Sequence, residues 1–114
     1  MAKADRLERL DGRRVEMEDD YRAALIAALR ATAAGRWGLF GHNSDRYSRA
    51  AARPALDQLD ELAGDIDRLR GQLAMDPFDL HQQFLAARGP VAADAVGEPK
   101  QAMAWLERMG VAVG

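Results

Sequence analysis

A chain of 114 residues with 16 basic and 18 acidic side chains fits one domain with a modest core of its own. A net charge of −2 points neither to a general nucleic-acid binder nor to a polyanion mimic. The lack of Cys excludes disulfides, thiolate metal sites and a cysteine nucleophile.

The apolar fraction of 48% overstates the core, because 23 of those residues are Ala. Such a composition suits long helices that pack along a narrow seam and complete their burial in an oligomer. Arg outnumbers Lys 14 to 2, as in a chain written by a GC-rich bacterial coding sequence. The start, Met1-Ala2-Lys3-Ala4-Asp5-Arg6, has no apolar run behind it, so no signal peptide is visible. The apolar run Ala23–Leu29 is short and flanked by Arg22 and Arg30, far from membrane-spanning length. A cytoplasmic protein is the default expectation.

The first predicted element covers residues 5–34. Asp5 with Glu8 resembles a capping box. Leu7, Leu10, Met17, Tyr21, Leu25, Ala28 and Thr32 recur on one helical face, with Val15 and Ile26 on another. Gly12 weakens this helix by about 1 kcal/mol relative to Ala and predicts a short lead helix before a main helix from Arg13. Gly35 is placed to be its C-terminal cap.

Residues 35–44 form a connecting loop with three glycines in a G-x-x-G-x-x-G array. The stretch 35–47 holds three of the seven aromatic residues and His42. Loops are ordinarily polar and exposed, so one this aromatic must fold back onto the protein or dock onto something else. The array is neither the G-x-G-x-x-G of dinucleotide folds nor a phosphate loop with its Lys-Ser/Thr ending.

The second long arm covers residues 45–75, capped by Asn43 or Ser44, with a kink or a fresh start at Pro54 because Arg53 precedes a proline. Leu59, Leu62, Ile66, Leu69 and Leu73 are spaced 3-4-3-4, a stripe about 80° wide that reads as a coiled-coil type of seam. Asp57, Glu61 and Asp65 lie mostly on the opposite face. A short helix over 77–88 follows, started by Asp76-Pro77 and ended by Gly89-Pro90. A last one over 99–109 begins at Pro99, stops at Gly110, and presents Ala102, Trp105, Leu106 and Met109. The expected architecture is all-α: an antiparallel hairpin of long helices with two short C-terminal helices near its open end. Pairing of two such hairpins into a four-helix bundle, a homodimer, is the natural way to cover the remaining seam.

Catalytic and metal chemistry find little support. Neither histidine has Glu three residues before it, since those positions hold Phe78 and Leu39, so the Glu-x-x-His pair of di-metal bundles is missing. Ser44 and Ser48 are the only serines, and Ser44 reads as a helix cap. No nucleophile, base and orienting group come together in the sequence, and no cofactor motif appears. His81, among Phe78, Phe84 and Leu85, reads as a half-buried histidine with a backbone partner. The run Glu16, Glu18, Asp19, Asp20 reads as a solvated helix face.

The loop end carries the functional expectation. Arg36, Arg46, Arg49 and Arg53 give residues 35–55 a charge of +3, against −5 over residues 56–80. The stripe Arg46, Arg49, Arg53 lies beside Trp37, Leu39, Phe40 and His42. The expectation is a non-enzymatic interaction protein that binds a protein partner there, with Trp37 and Phe40 as apolar anchors. The alternative is a nucleic-acid-associated regulator using the same arginines on phosphates.

Overall fold

The computed structural model describes residues 2–34, 46–88 and 98–111, and the side chains within 4–34, 52–86 and 100–111. Four helices follow in order: α1 (Ala2–Ala33), α2 (Arg46–Gln72), α3 (Asp79–Arg88) and α4 (Glu98–Arg108). No strand occurs among the described residues. The fold is therefore the all-α hairpin with two short C-terminal helices. α1 and α2 run antiparallel, since Leu10 and Met17 face Gln72 and Leu69, while Ala24 and Ala28 face Leu62 and Ala55. The molecule measures 57 × 27 × 21 Å, a length set by α1, whose 32 residues rise about 48 Å.

Neither long helix is divided where a break was expected. α1 runs unbroken through Gly12, whose missing side chain would meet open space. About 1 kcal/mol of lost propensity does not break a helix whose later turns are locked by packing. α2 likewise runs on through Pro54 with no fresh start there. Proline at that position removes one backbone hydrogen bond at a cost of about 3 kcal/mol. Ala52 and Leu59, both fully buried on either side of it, hold the helix together. Gly35, Asn43, Ser44 and Gly89-Pro90, expected as helix punctuation, lie outside the described residues.

The core is one cluster drawn from all four helices. α1 contributes Tyr21, Leu25, Ala28 and Leu29, and α2 contributes Ala52, Leu59, Ala63 and Ile66. Phe78 and Phe84 enter from the α3 region, and Ala102, Trp105 and Leu106 from α4. Within the 3-4-3-4 stripe, Leu59, Ile66 and Leu69 are buried, whereas Leu62 and Leu73 are half-buried. The first turns of α1 are left outside, with Leu7 at 44% exposure.

The short helices lie across the middle of the hairpin rather than at its open end. His81 of α3 meets Tyr21 and Asp60, and Arg22 of α1 donates to the carbonyl of Met109 just after α4. α4 packs mainly on α1, and α3 touches α2.

Two helix ends explain how the chain turns. After α2, the N–H of Met75 donates to the Arg70 carbonyl (2.8 Å) and that of Ala74 to Gly71 (3.2 Å), with Ala74 at φ 56°. After α4, Val111 donates to Leu106 and Gly110 to Glu107, with Gly110 at φ 78°. Both are left-handed caps of the Schellman type, and only the second uses the residue best suited to it. α3 starts two residues later than Asp76-Pro77 suggests, because the Phe78 N–H is capped from α2 by Asp67 Oδ1 at 2.7 Å.

Candidate functional site

On the side where α3 sits, three polar residues form a chain through the core. The Tyr21 hydroxyl lies 2.7 Å from His81 Nδ1, and His81 Nε2 lies 2.7 Å from Asp60 Oδ1. Tyr21 is completely buried and His81 is 5% exposed, while Asp60 reaches solvent. The carboxylate can only accept, so Nε2 carries the proton and Nδ1 is left to accept from the tyrosine O–H. His81 thus has two side-chain partners, not the backbone partner its sequence neighbourhood suggested.

This chain has the hydrogen-bond order of a nucleophilic triad, with a phenol in the place of the nucleophile. Its electrostatics run the other way. Burial, followed by the charge of Asp60, pushes the Tyr21 hydroxyl above its ordinary titration range, so the oxygen is held as a neutral phenol. The ring is also boxed in edge-on by Phe78 at 5.0 Å and by His81 at 5.4 Å. Such a hydroxyl fixes α3 against α1 and α2.

A second polar cluster sits next to it. Arg70 of α2 donates from Nε and Nη2 to both carboxylate oxygens of Glu18, at 2.9 and 3.0 Å. Its Nη1 donates to the Asp76 carbonyl at 2.9 Å, and its guanidinium lies 5.5 Å from the Phe78 ring centre. Arg14 adds a further bond to Glu18 at 2.9 Å and holds Asp11 at 2.8 Å. For Glu18, burial raises the pKa, and Arg70 and Arg14 together outweigh it, so the carboxyl titrates below its ordinary value. The acidic run of α1 is therefore not uniformly solvated, since Glu18 is a half-buried junction between α1, α2 and the approach to α3.

The other side of the α1/α2 pair is uncovered by α3 and α4. Ala23, Ala24, Ala27 and Ala28 of α1 and Ala55, Gln58 and Leu62 of α2 line a shallow groove of about 510 Å³, with Asp20 on its lip. The groove continues toward the open end as a space of about 310 Å³ lined by Leu10, Arg13, Met17, Asp65, Arg68, Leu69 and Gln72.

Of the residues expected at the loop end, Arg36, Trp37, Leu39, Phe40 and His42 lie outside the described residues. Arg46 and Arg49 fall in the first turns of α2, with side chains that are not described. Arg53 is described: its side chain is 77% exposed and stands 3.6 Å from Asp57, one turn along the same helix. It does not meet the α1 acids, and Glu18 is instead bound to Arg70, 17 residues further along α2. A rise of 1.5 Å per residue separates those arginines by about 25 Å.

Sequence reading missed the Tyr21–His81–Asp60 chain because its members are 60 and 21 residues apart. One signal was present: Asp60, Asp67 and Arg70 recur on one side of the leucine seam, a polar stripe that lines the bed of α3. Among the described residues, no group of three or more His, Asp or Glu side chains is placed to hold a metal ion. None of the described helices is long and apolar enough to cross a membrane. Comparison with protein-family models, curated proteins and solved structures gives no match.

Proposed function

We propose that this protein is a non-catalytic helical interaction protein of the cytoplasm. It binds a protein partner at the end of the hairpin where α1 connects to α2. Trp37 and Phe40 serve as apolar anchors, flanked by Leu39 and His42, and Arg36, Arg46, Arg49 and Arg53 provide the charge complementarity.

The observation that carries this reading is the position of Arg53. It is exposed, and its one ion pair among the described residues is a long contact to Asp57, worth at most about 1 kcal/mol. Of the α1 carboxylates, Glu18 is taken by Arg14 and Arg70, and among the described residues none pairs with Arg53. That exposed guanidinium supports a reading in which this end of the hairpin meets an acidic partner. The non-catalytic part is supported by the one triad-like constellation among the described residues, whose hydroxyl is fully buried and kept protonated.

The test is capture from a lysate of the source cells with wild-type protein, Trp37→Ala, and a triple variant Arg46→Glu, Arg49→Glu, Arg53→Glu. A discrete protein retained in high salt by wild type and lost with Trp37→Ala supports the proposal. Nuclease-sensitive retention that disappears with salt and depends only on the arginines would replace it with a nucleic-acid role.

A further inference from the structure

We propose that the open face of the α1/α2 pair is covered by a second copy of this chain, laid antiparallel about a two-fold axis. The proposal is independent of what binds the loop end and concerns the α1 lip of the groove, where Asp20 stands.

Along α1, on the edge of that face, stand Arg6, Arg9, Arg13, Glu16 and Asp20, spaced 3-4-3-4. All five are exposed, and none forms an ion pair among the described residues. Arg9 spends its Nε on the Asp5 carbonyl at 3.4 Å. This stripe is therefore basic in its first half and acidic in its second. Within one helix only Arg13 and Glu16 are opposite charges at neighbouring positions, whereas Arg6 and Arg9, Arg9 and Arg13, and Glu16 and Asp20 are like charges three or four residues apart. A helix stabilised on its own account would alternate the signs.

The pattern becomes favourable against its own antiparallel copy. With the two-fold axis at the level of residues 14 and 15, Arg9 stands opposite Asp20 of the second copy and Arg13 opposite Glu16. Symmetry repeats both pairs, as an isologous contact requires. A parallel arrangement would set arginine against arginine. Charges flanking an apolar seam fix orientation and partner in this way in coiled coils.

The seam itself lies just inside the stripe: Leu10, Met17 and Ala24 on α1 face Leu62 and Leu69 on α2. All but Leu69 are half-buried. Alanines at 23, 24, 27 and 55 let another helix backbone come close. The polar residues that α2 contributes to the face do not disturb the match. Gln58 and Gln72 are neutral, and Arg68 is tied to Asp65.

The test is a charge exchange read by sedimentation equilibrium. One variant carries Arg9→Glu with Arg13→Glu, and the other carries Glu16→Arg with Asp20→Arg. Wild type is expected at twice the chain mass of 12.5 kDa. Each variant alone should dissociate, with self-association weakened roughly a hundredfold or more by like charges brought together. Their equimolar mixture should return to the doubled mass, because the opposite signs are then paired again. Since every changed residue is exposed, the helical circular dichroism of both variants should match wild type. Ala24→Arg, which fills the groove without altering the stripe, should also give the single-chain mass. A single-chain mass for wild type at high micromolar concentration would overturn the proposal. So would variants that stay associated, or a mixture that stays dissociated.

Discussion

Toward α3 and α4, the α1/α2 pair presents Tyr21, Leu25, Leu29 and Ile66, all without solvent exposure, together with polar side chains that have defined partners, Glu18 and Arg70 more than one each. Toward the groove it presents alanines, half-buried Leu62 and Met17, and along its α1 edge Arg13, Glu16 and Asp20, which form no ion pair among the described residues. The first side is closed by specific geometry. Asp67 caps the start of α3, Arg70 reaches the approach to α3, and His81 is pinned at both ring nitrogens. On the groove side, small side chains leave a trough and nothing within the described chain fills it. The difference teaches where selection for a single fold ends on this hairpin and where surface for something else begins. Buried polar groups with full partners specify one arrangement, whereas a small-residue trough edged by unpaired charges specifies none.

Substitutions on the closed side should break the molecule in proportion to what they leave unpaired. Ile66→Asp puts a carboxylate at a fully buried position of α2 and should cost several kcal/mol, enough to unfold the chain. Loss of helical circular dichroism reads it directly, and a cooperative melt near that of wild type would refute the assigned core. By contrast, Ala27→Ser on the exposed rim of the groove should stay within about 0.5 kcal/mol in the isolated chain.

Glu18→Gln comes next, at about 2 kcal/mol, because it uncouples Arg70 and Arg14 from their shared carboxylate. The pH dependence separates this effect from simple packing loss. The folded pKa of Glu18 is depressed, so its contribution is present above the unfolded value of 4.5 and is lost as pH falls through the lower folded value. Urea midpoints of wild type should therefore fall in that acid range, and those of Glu18→Gln should fall less.

Tyr21→Phe removes the donor to His81 Nδ1 while keeping the ring, for about 1–2 kcal/mol. The folded hydroxyl titrates above the ordinary value of 10.0, so its contribution is complete below that pH and is lost as pH rises beyond it. Denaturant midpoints should show this alkaline loss in wild type and not in the variant. The smallest effect is a gain: Ala74→Gly relieves a non-glycine residue at φ 56° and should stabilise by about 0.5–1 kcal/mol. A loss of stability there would mean that the Ala74 side chain contributes more than its backbone strain costs.

Much of the fold was legible from periodicity. The recurrence of Tyr21, Leu25, Ala28 and Thr32, the stripe at Leu59, Ile66 and Leu69, and the stop at Gly110 all follow from rules acting within a few turns of helix. A break at Gly12 or a fresh start at Pro54 follows from local propensity alone, which tertiary packing overrides. The polar connections were hidden for another reason. Glu18 and Arg70 are 52 residues apart, and Tyr21 and His81 are 60 apart, so no local spacing links them. Asp67 capping Phe78 could not displace Asp76-Pro77 as the expected helix start until the two were seen side by side. The groove was likewise invisible, since alanine scores as apolar whether it fills a seam or leaves one open. The acidic half of the α1 stripe reads in the sequence as a solvated helix face, and its pairing with the basic half at Arg6, Arg9 and Arg13 gains meaning only once the open groove beside it is seen.

The claim that the loop end of the hairpin is a binding surface is tested most directly by the solvent exposure of Trp37. Trp105 is 7% exposed and packed edge-on against Phe84 at 5.9 Å, so it supplies a constant, shielded background. Subtracting the emission of Trp37→Phe from that of wild type isolates the Trp37 signal without disturbing the core. The account predicts a red-shifted component that acrylamide quenches freely in the unliganded protein. A blue-shifted component shielded from acrylamide would show Trp37 plugged into the bundle, and would contradict the proposed function.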